Sequence, residues 1–211
     1  MPLWSSTTRA NGRTRQASSR GSLPARNRAV AAILVAAIVV TFPVAAAQEY
    51  IPAQSRNKTA FLATFPSFVD WPEGAFSAAN SPLIVCVLGD FRFGTTLAEV
   101  SRDSTPHGRR MSVRWIRNDQ QIRGCHILFI SGSEFSHYSK VIASTQGTST
   151  FTVGETPNFL AAGGMLSISF ENDVVQFEVN LGSAREAHFH VSSRLLALAH
   201  RVVEPSESAK S

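Results

Sequence analysis

Apolar and polar positions change rhythm several times along this chain. From Thr59 onward, Ala60, Phe61, Phe65, Phe68 and Val69 recur at three- and four-residue spacings. That single apolar stripe predicts a helix opening near Lys58, after a polar lead-in. Pro66 would interrupt the helix or bend its last turn. Trp71-Pro72 closes it, because the residue before a proline is pushed out of the helical region. The block Leu83-Ile84-Val85-Cys86-Val87-Leu88 then shows no polar alternation and stops at Gly89. A continuous β-branched run of this length predicts a strand buried on both faces. Cys125–Ile130 is a second such run, and Thr150–Gly154 repeats the strand-then-glycine pattern. Met111–Ile116 alternates only weakly and predicts a strand nearer a sheet edge. Helical segments are predicted for Gly94–Val100, for the stretch from Ser131-Gly132-Ser133 through Ser144, and around Phe159-Leu160.

After Gly163-Gly164 the period becomes two. Leu166, Ile168 and Phe170 alternate with serines, and Val175, Phe177 and Val179 alternate with Gln176, Glu178 and Asn180. Glu171-Asn172-Asp173 lies between them as a polar turn, which predicts a β-hairpin. Ser192–Val203 carries Leu195, Leu196, Leu198, Ala199 and Val202 and predicts a C-terminal amphipathic helix, with Ser192 or Ser193 as its N-cap. Buried strands alternating with helices define an α/β fold. The expectation is one domain, a mostly parallel central sheet flanked by helices, with a C-terminal antiparallel hairpin and a terminal helix.

The first residues follow a different pattern. Arg9, Arg13, Arg15, Arg20, Arg26 and Arg28 precede the apolar run Ala29–Phe42, then Pro43 and Val44-Ala45-Ala46-Ala47. A positive segment, a short apolar segment and an A-x-A ending compose a secretory signal peptide, with cleavage expected after Ala47. A retained signal anchor is the alternative, though the apolar run is short of the about 20 residues a membrane span needs. The expected layout is a leader over 1–47, a flexible lead-in over 48–57, the α/β domain over 58–204 and a polar tail over 205–211. No second run is long enough to cross a bilayer, so no direct membrane span is expected after cleavage.

Cleavage changes the charge. The whole chain is formally +5, and removing six arginines leaves −1. A nearly neutral domain lacks the clustered basic footprint of a nucleic-acid binder. Cys86 and Cys125 are the two cysteines. An even pair in an exported chain reads as a disulfide. Closing that loop would restrict the unfolded chain by about 4 kcal/mol in the entropic description. Two buried free thiols are the alternative.

Tests for chemistry return little. Gly89-Asp90-Phe91-Arg92-Phe93-Gly94-Thr95-Thr96 has the glycine spacing of a phosphate-binding loop, but Thr95 stands where the lysine that meets the phosphates is needed. A tight strand-to-helix turn with inward-packing aromatics is the simpler reading. His188 and His190, with His200 nearby, lack the third and fourth ligands and the spacing of a zinc site, so surface histidines are favoured. No G-x-S-x-G elbow is present, and no cofactor or catalytic residue is expected. The aromatics are more suggestive. Trp71 and Phe68, with Phe91 and Phe93 of the glycine loop, are the candidate partner or ligand contacts, because an aromatic left partly exposed makes a contact anchor. Core packing is the default role of such a stripe.

Taken together, the residues resemble the YfiR family of exported bacterial proteins. The resemblance is carried by Lys58-Thr59-Ala60-Phe61-Leu62 with Phe65, by Phe68-Val69-Asp70-Trp71-Pro72, and by Cys86-Val87-Leu88-Gly89 with Phe93-Gly94. It continues through Cys125-His126-Ile127-Leu128-Phe129-Ile130-Ser131, Thr152-Val153-Gly154, Gly163-Gly164-Met165, Phe177-Glu178-Val179-Asn180 and Val191-Ser192-Ser193-Arg194-Leu195-Leu196. It implies a periplasmic negative regulator that binds the periplasmic region of an inner-membrane diguanylate cyclase and represses it. Cyclic di-GMP signalling and biofilm formation would fall as a result. It further implies a homodimer, sequestration by an outer-membrane lipoprotein, and a disulfide between Cys86 and Cys125. The chain departs from the pattern at Pro66 and lacks the second cysteine pair of some relatives. Two other readings stand beside it: a small-molecule-binding sensor of the same fold, with a pocket at the strand ends near Gly89 and Gly132, and an exported hydrolase, for which no nucleophile is found.

Overall fold

A computed structural model describes residues 53–156 and 158–204, without the side chains of Phe91 and Arg92. The leader, its cleavage point, residues 48–52 of the lead-in and the tail from Pro205 lie outside the described residues. Helix α1 spans Ala53–Thr64, so residues 53–57 are its first turn and not part of a lead-in. Pro66 falls at the start of a 3-10 turn, Phe65–Phe68, where a missing N–H costs nothing. The chain leaves that turn as the two-residue strand β1 (Val69–Asp70).

β2 (Leu83–Leu88) is followed by helix α2 (Phe91–Val100) and β3 (Met111–Ile116). β4 (Ile127–Ile130), α3 (Tyr138–Ala143), β5 (Phe151–Gly154) and α4 (Asn158–Ala161) come next. The hairpin is β6 (Leu166–Glu171) and β7 (Val174–Asn180). Asn172 and Asp173 at its tip both have positive φ, 48° and 63°, as a tight two-residue hairpin turn requires. α5 (Leu181–Glu186), β8 (His190–Val191), α6 (Ser193–Leu196) and β9 (Arg201–Val203) complete the chain.

Seven strands form one sheet in the order β3-β2-β4-β5-β6-β7-β9, and β1 pairs antiparallel with β8 in a small second sheet. The pairings from β3 to β6 are parallel, and β6–β7 is antiparallel. The weakly alternating segment is an edge strand, as its pattern implied. The C-terminus departs from expectation. Ser192 does cap a helix, its side chain accepting from the Arg194 N–H, but that helix is four residues long. Arg201–Val203 is a strand, lying parallel to β7 with Val179 opposite Val202. Of the stripe that suggested a longer helix, Leu195 is buried and Leu196, Ala199 and Val202 pack on the core, while Leu198 is 72% exposed. The open flank of β7 offers ladder hydrogen bonds instead, entered through the His200 N–H and the Phe177 carbonyl at 2.8 Å.

Successive strand residues point to opposite faces, and each face of the central strands has its own core. Val85, Val87 and Phe129 join Leu62, Phe65, Leu97 and Phe151 on the side covered by α1 and α2. Cys86, Leu88, Leu128 and Ile130 join Tyr138, Val141 and Phe159 on the other. This two-sided burial is why the runs show no alternation. Cys86 and Cys125 are disulfide-bonded with their Cα atoms 5.7 Å apart, tying β2 to the residues just before β4.

Phe159 is fully buried, and a Cβ added at Gly154 or Gly164 would run into its ring. Neither glycine has positive φ, so the requirement is one of space. Gly164→Ala is expected to destabilise the domain by about 1–3 kcal/mol through overpacking, read as a lower urea midpoint with an unchanged slope.

Candidate functional site

An aromatic and histidine cluster occupies the end of the sheet where the parallel strands begin. The two-residue β1 delivers Trp71 to it, half-buried. Its ring lies 6.0 Å from Phe76, 6.3 Å from His107 and 6.1 Å from Phe189. The indole N–H donates to the His126 carbonyl at 3.2 Å. Phe76 stacks on the His126 ring at 4.3 Å with planes 12° apart. The Arg109 guanidinium sits 3.8 Å from the Phe76 centroid and donates to the carbonyls of Ala78 and Ser81. Cation and ring attract through the ring quadrupole. Val69, Asp70, Trp71, Phe76, His107 and Arg109 line a cavity of about 190 Å³ here.

His126 is the hub. Its Nδ1 accepts from the Ile84 N–H at 3.0 Å, so Nε2 carries the proton and donates to the Ala75 carbonyl at 3.2 Å. Burial holds its pKa below the ordinary value; Arg109 adds to the depression, while the Ala75 carbonyl opposes it. A neutral histidine thereby fastens the irregular segment 72–81 to the sheet.

The opposite end lies at the C-terminal ends of β2, β4 and β5. Gly89 (φ 101°) is packed so tightly that a Cβ there would meet Ser131 and Ser133. The first turn of α2 already holds an anion, because the Asp90 carboxylate accepts from the Phe93 N–H at 3.2 Å. Lys58 and Glu155 form a close ion pair with side chains only 11% and 20% exposed. The Lys58 ammonium lies 4.2 Å above Phe93, and the other Glu155 oxygen accepts from the Gly132 N–H at 2.8 Å.

The YfiR/HmsC-like family (DUF4154) matches residues 55–200. The chain belongs to that family. Its members are periplasmic, regulatory rather than catalytic, and act in diguanylate cyclase signalling. Among the described residues no helix is long and apolar enough to cross a membrane. No curated protein matches the chain. Eleven chains of solved structures are similar to it. A conserved domain protein from Vibrio cholerae O1 biovar El Tor is 11% identical over 57% of this chain and 54% of its own, with a TM-score of 0.43. The ABC domain in complex with L-Trp from Streptococcus pneumoniae is 11% identical over 72% and 60%, with a TM-score of 0.47. The chain spans between half and two thirds of the length of each of these two.

In this YfiR/HmsC-like protein the contact residues expected from sequence are dispersed. Phe68 and Trp71 are half-buried and pack on the main core. Phe93 is 3% exposed, with its ring 4.6 Å from Phe129, so it is a core residue and not a surface contact. The side chain of Phe91 lies outside the described residues. His188 and His190 are both exposed, and His188 has positive φ, so the two do not share an extended face. No cluster of three metal-ligating side chains exists among the described residues. His126, Arg109, Lys58 and Glu155 went unassigned in sequence. A histidine opening a buried strand and an acid just after Gly154 were the available signals.

Two outcomes follow from the charges. The folded chain binds fewer protons at His126 than the unfolded chain does below about pH 6.5. The stabilisation from its neutral form is therefore complete above that pH and lost as pH falls through the depressed folded value. His126→Asn, which keeps an acceptor near Nδ1 but does not titrate, is expected to flatten the fall in urea stability between pH 7 and 5. Glu155→Gln leaves the Lys58 ammonium without its counter-charge and is expected to cost about 3 kcal/mol, with Lys58→Met/Glu155→Gln recovering part of the loss.

Proposed function

We propose that this protein is exported through residues 1–47 and works in the periplasm as a negative regulator. It binds the periplasmic region of an inner-membrane diguanylate cyclase and holds the enzyme inactive, lowering cyclic di-GMP and biofilm formation. The observation that carries this reading is the family match, which spans nearly all of the folded unit. A regulator of this kind acts by binding one conformation of its target better than the other, and the ratio of the two affinities sets the degree of repression. A domain with two packed cores and a disulfide suits that work, because a rigid surface loses little entropy on binding. The protein is expected to form a homodimer and to be drawn off by an outer-membrane lipoprotein. Phe68 and Trp71 remain the aromatic contact candidates.

A second reading, a small-molecule sensor, is favoured by a cavity of about 400 Å³ between α3, the loop before β6 and α5, a volume within the usual range for ligand sites. It lies away from Gly89 and Gly132, and a ligand seated there would raise the melting temperature of the purified domain.

Deleting the gene is expected to raise cellular cyclic di-GMP and surface attachment, and restoring the full chain to reverse both. Nucleotide levels that do not move on deletion would defeat the regulatory reading.

A further inference from the structure

Charge is segregated within the folded domain. Residues 102–123 hold six arginines (Arg102, Arg109, Arg110, Arg114, Arg117 and Arg123) against two acids, Asp103 and Asp119. The rest of residues 53–204 carries seven basic against eleven acidic side chains. Among the described residues the ion pairs use Lys58, His137, Lys140, Arg185 and Arg201 as cations, and none of these six arginines. Asp119 is itself paired with Lys140 at 3.1 Å. Arg109 donates to carbonyl oxygens, and Arg114 to the carbonyls of Gln121 and Arg123 and to both disulfide sulfurs. Those contacts fix the two guanidinium groups without cancelling their charge. Arg102, Arg110, Arg117 and Arg123 are exposed.

The strand inside this basic frame is β3, at the edge of the sheet. The Leu83 N–H donates to the Arg110 carbonyl at 2.9 Å, and Ser112, Arg114 and Ile116 lie opposite Ile84, Cys86 and Leu88. In a parallel ladder a residue turns both backbone groups to the same neighbour, and alternate residues turn opposite ways. Arg110, Ser112, Arg114 and Ile116 therefore face β2, while Met111, Val113 and Trp115 turn outward. The two ends of the outer row are closed. The Met111 N–H donates to the Ser104 carbonyl at 3.3 Å and the Arg117 N–H to Gln121 Oε1 at 2.7 Å. Between them the N–H and C=O of Val113 have no ladder partner among the described residues.

We propose that the β3 edge docks an extended, acidic segment of a partner protein as an added strand. The backbone of Val113 supplies the register and the arginine frame supplies the attraction. Residue alternation shapes the segment. Its side chains would lie acidic on the Arg110 and Arg114 face and apolar on the Val113 face. A second copy of this chain is not the occupant through the same edge, because two such arginine frames would repel. That repulsion also explains how an open edge is kept from self-pairing. The proposal rests on the regulatory reading only in placing the natural segment in the regulated cyclase.

The test uses the full exported protein and a short synthetic peptide alternating Glu with Val, followed by fluorescence anisotropy at low salt. Arg110→Glu/Arg117→Glu is expected to weaken binding roughly tenfold or more without changing the melting temperature, and salt to weaken wild-type binding. Hydrogen exchange should slow at the Val113 amide when the peptide is present. Equal affinity for variant and wild type, or binding without protection at Val113, would overturn the proposal. So would binding to phosphatidylglycerol vesicles with none to the peptide, which would make the frame a membrane contact. In cells, if deletion raises cyclic di-GMP but the double variant represses normally, the docking surface is wrong and the regulatory reading survives. If deletion changes nothing, the regulatory reading fails and the peptide measurement alone decides the surface.

Discussion

Two-sided burial of β2, β4 and β5 is the constraint from which the rest of this structure follows. Strands apolar on both faces cannot leave either face to water, so the chain must place helices above and below the sheet. It meets this with α1 and α2 over one face and α3 and α4 over the other. The disulfide and the fit of Phe159 against Gly154 and Gly164 belong to the second face; the Phe65, Phe129 and Phe151 rings fill the first. What remains outside these cores is the two sheet ends and the two sheet edges.

The ends are finished differently. Where the parallel strands stop, the Lys58–Glu155 pair and the serines around Gly89 pack tightly. Where they begin, a neutral histidine, a tryptophan and an arginine stacked on phenylalanine pin the connecting segments to the sheet. Both ends of the sheet in this YfiR/HmsC-like protein are thus tied by contacts between segments distant in the chain.

The edges divide the same way. β9 adds three residues beyond β7, and β3 ends the sheet within a frame of arginines that form no ion pair among the described residues. A domain whose basic and acidic side chains balance hides this asymmetry in its net charge. The placement of residues 102–123 around one strand turns a basic run in the sequence into a local field.

The sequence by itself determined the fold class, the buried strands, the edge position of Met111–Ile116 and the hairpin at Asn172-Asp173, because hydrophobic period reports burial wherever one element decides it. It also carried the family, through short segments spread along the whole domain. Tertiary structure decided what depends on partners distant in the chain. Arg201–Val203 became a strand because β7 had an open flank, and Phe93 went inward because Phe129 lay beneath it. His126 became a neutral hub because Ile84, Ala75 and Phe76 converge on it from two other segments. Local pattern records how deep a residue lies; which groups it meets there is set only when the strands are side by side.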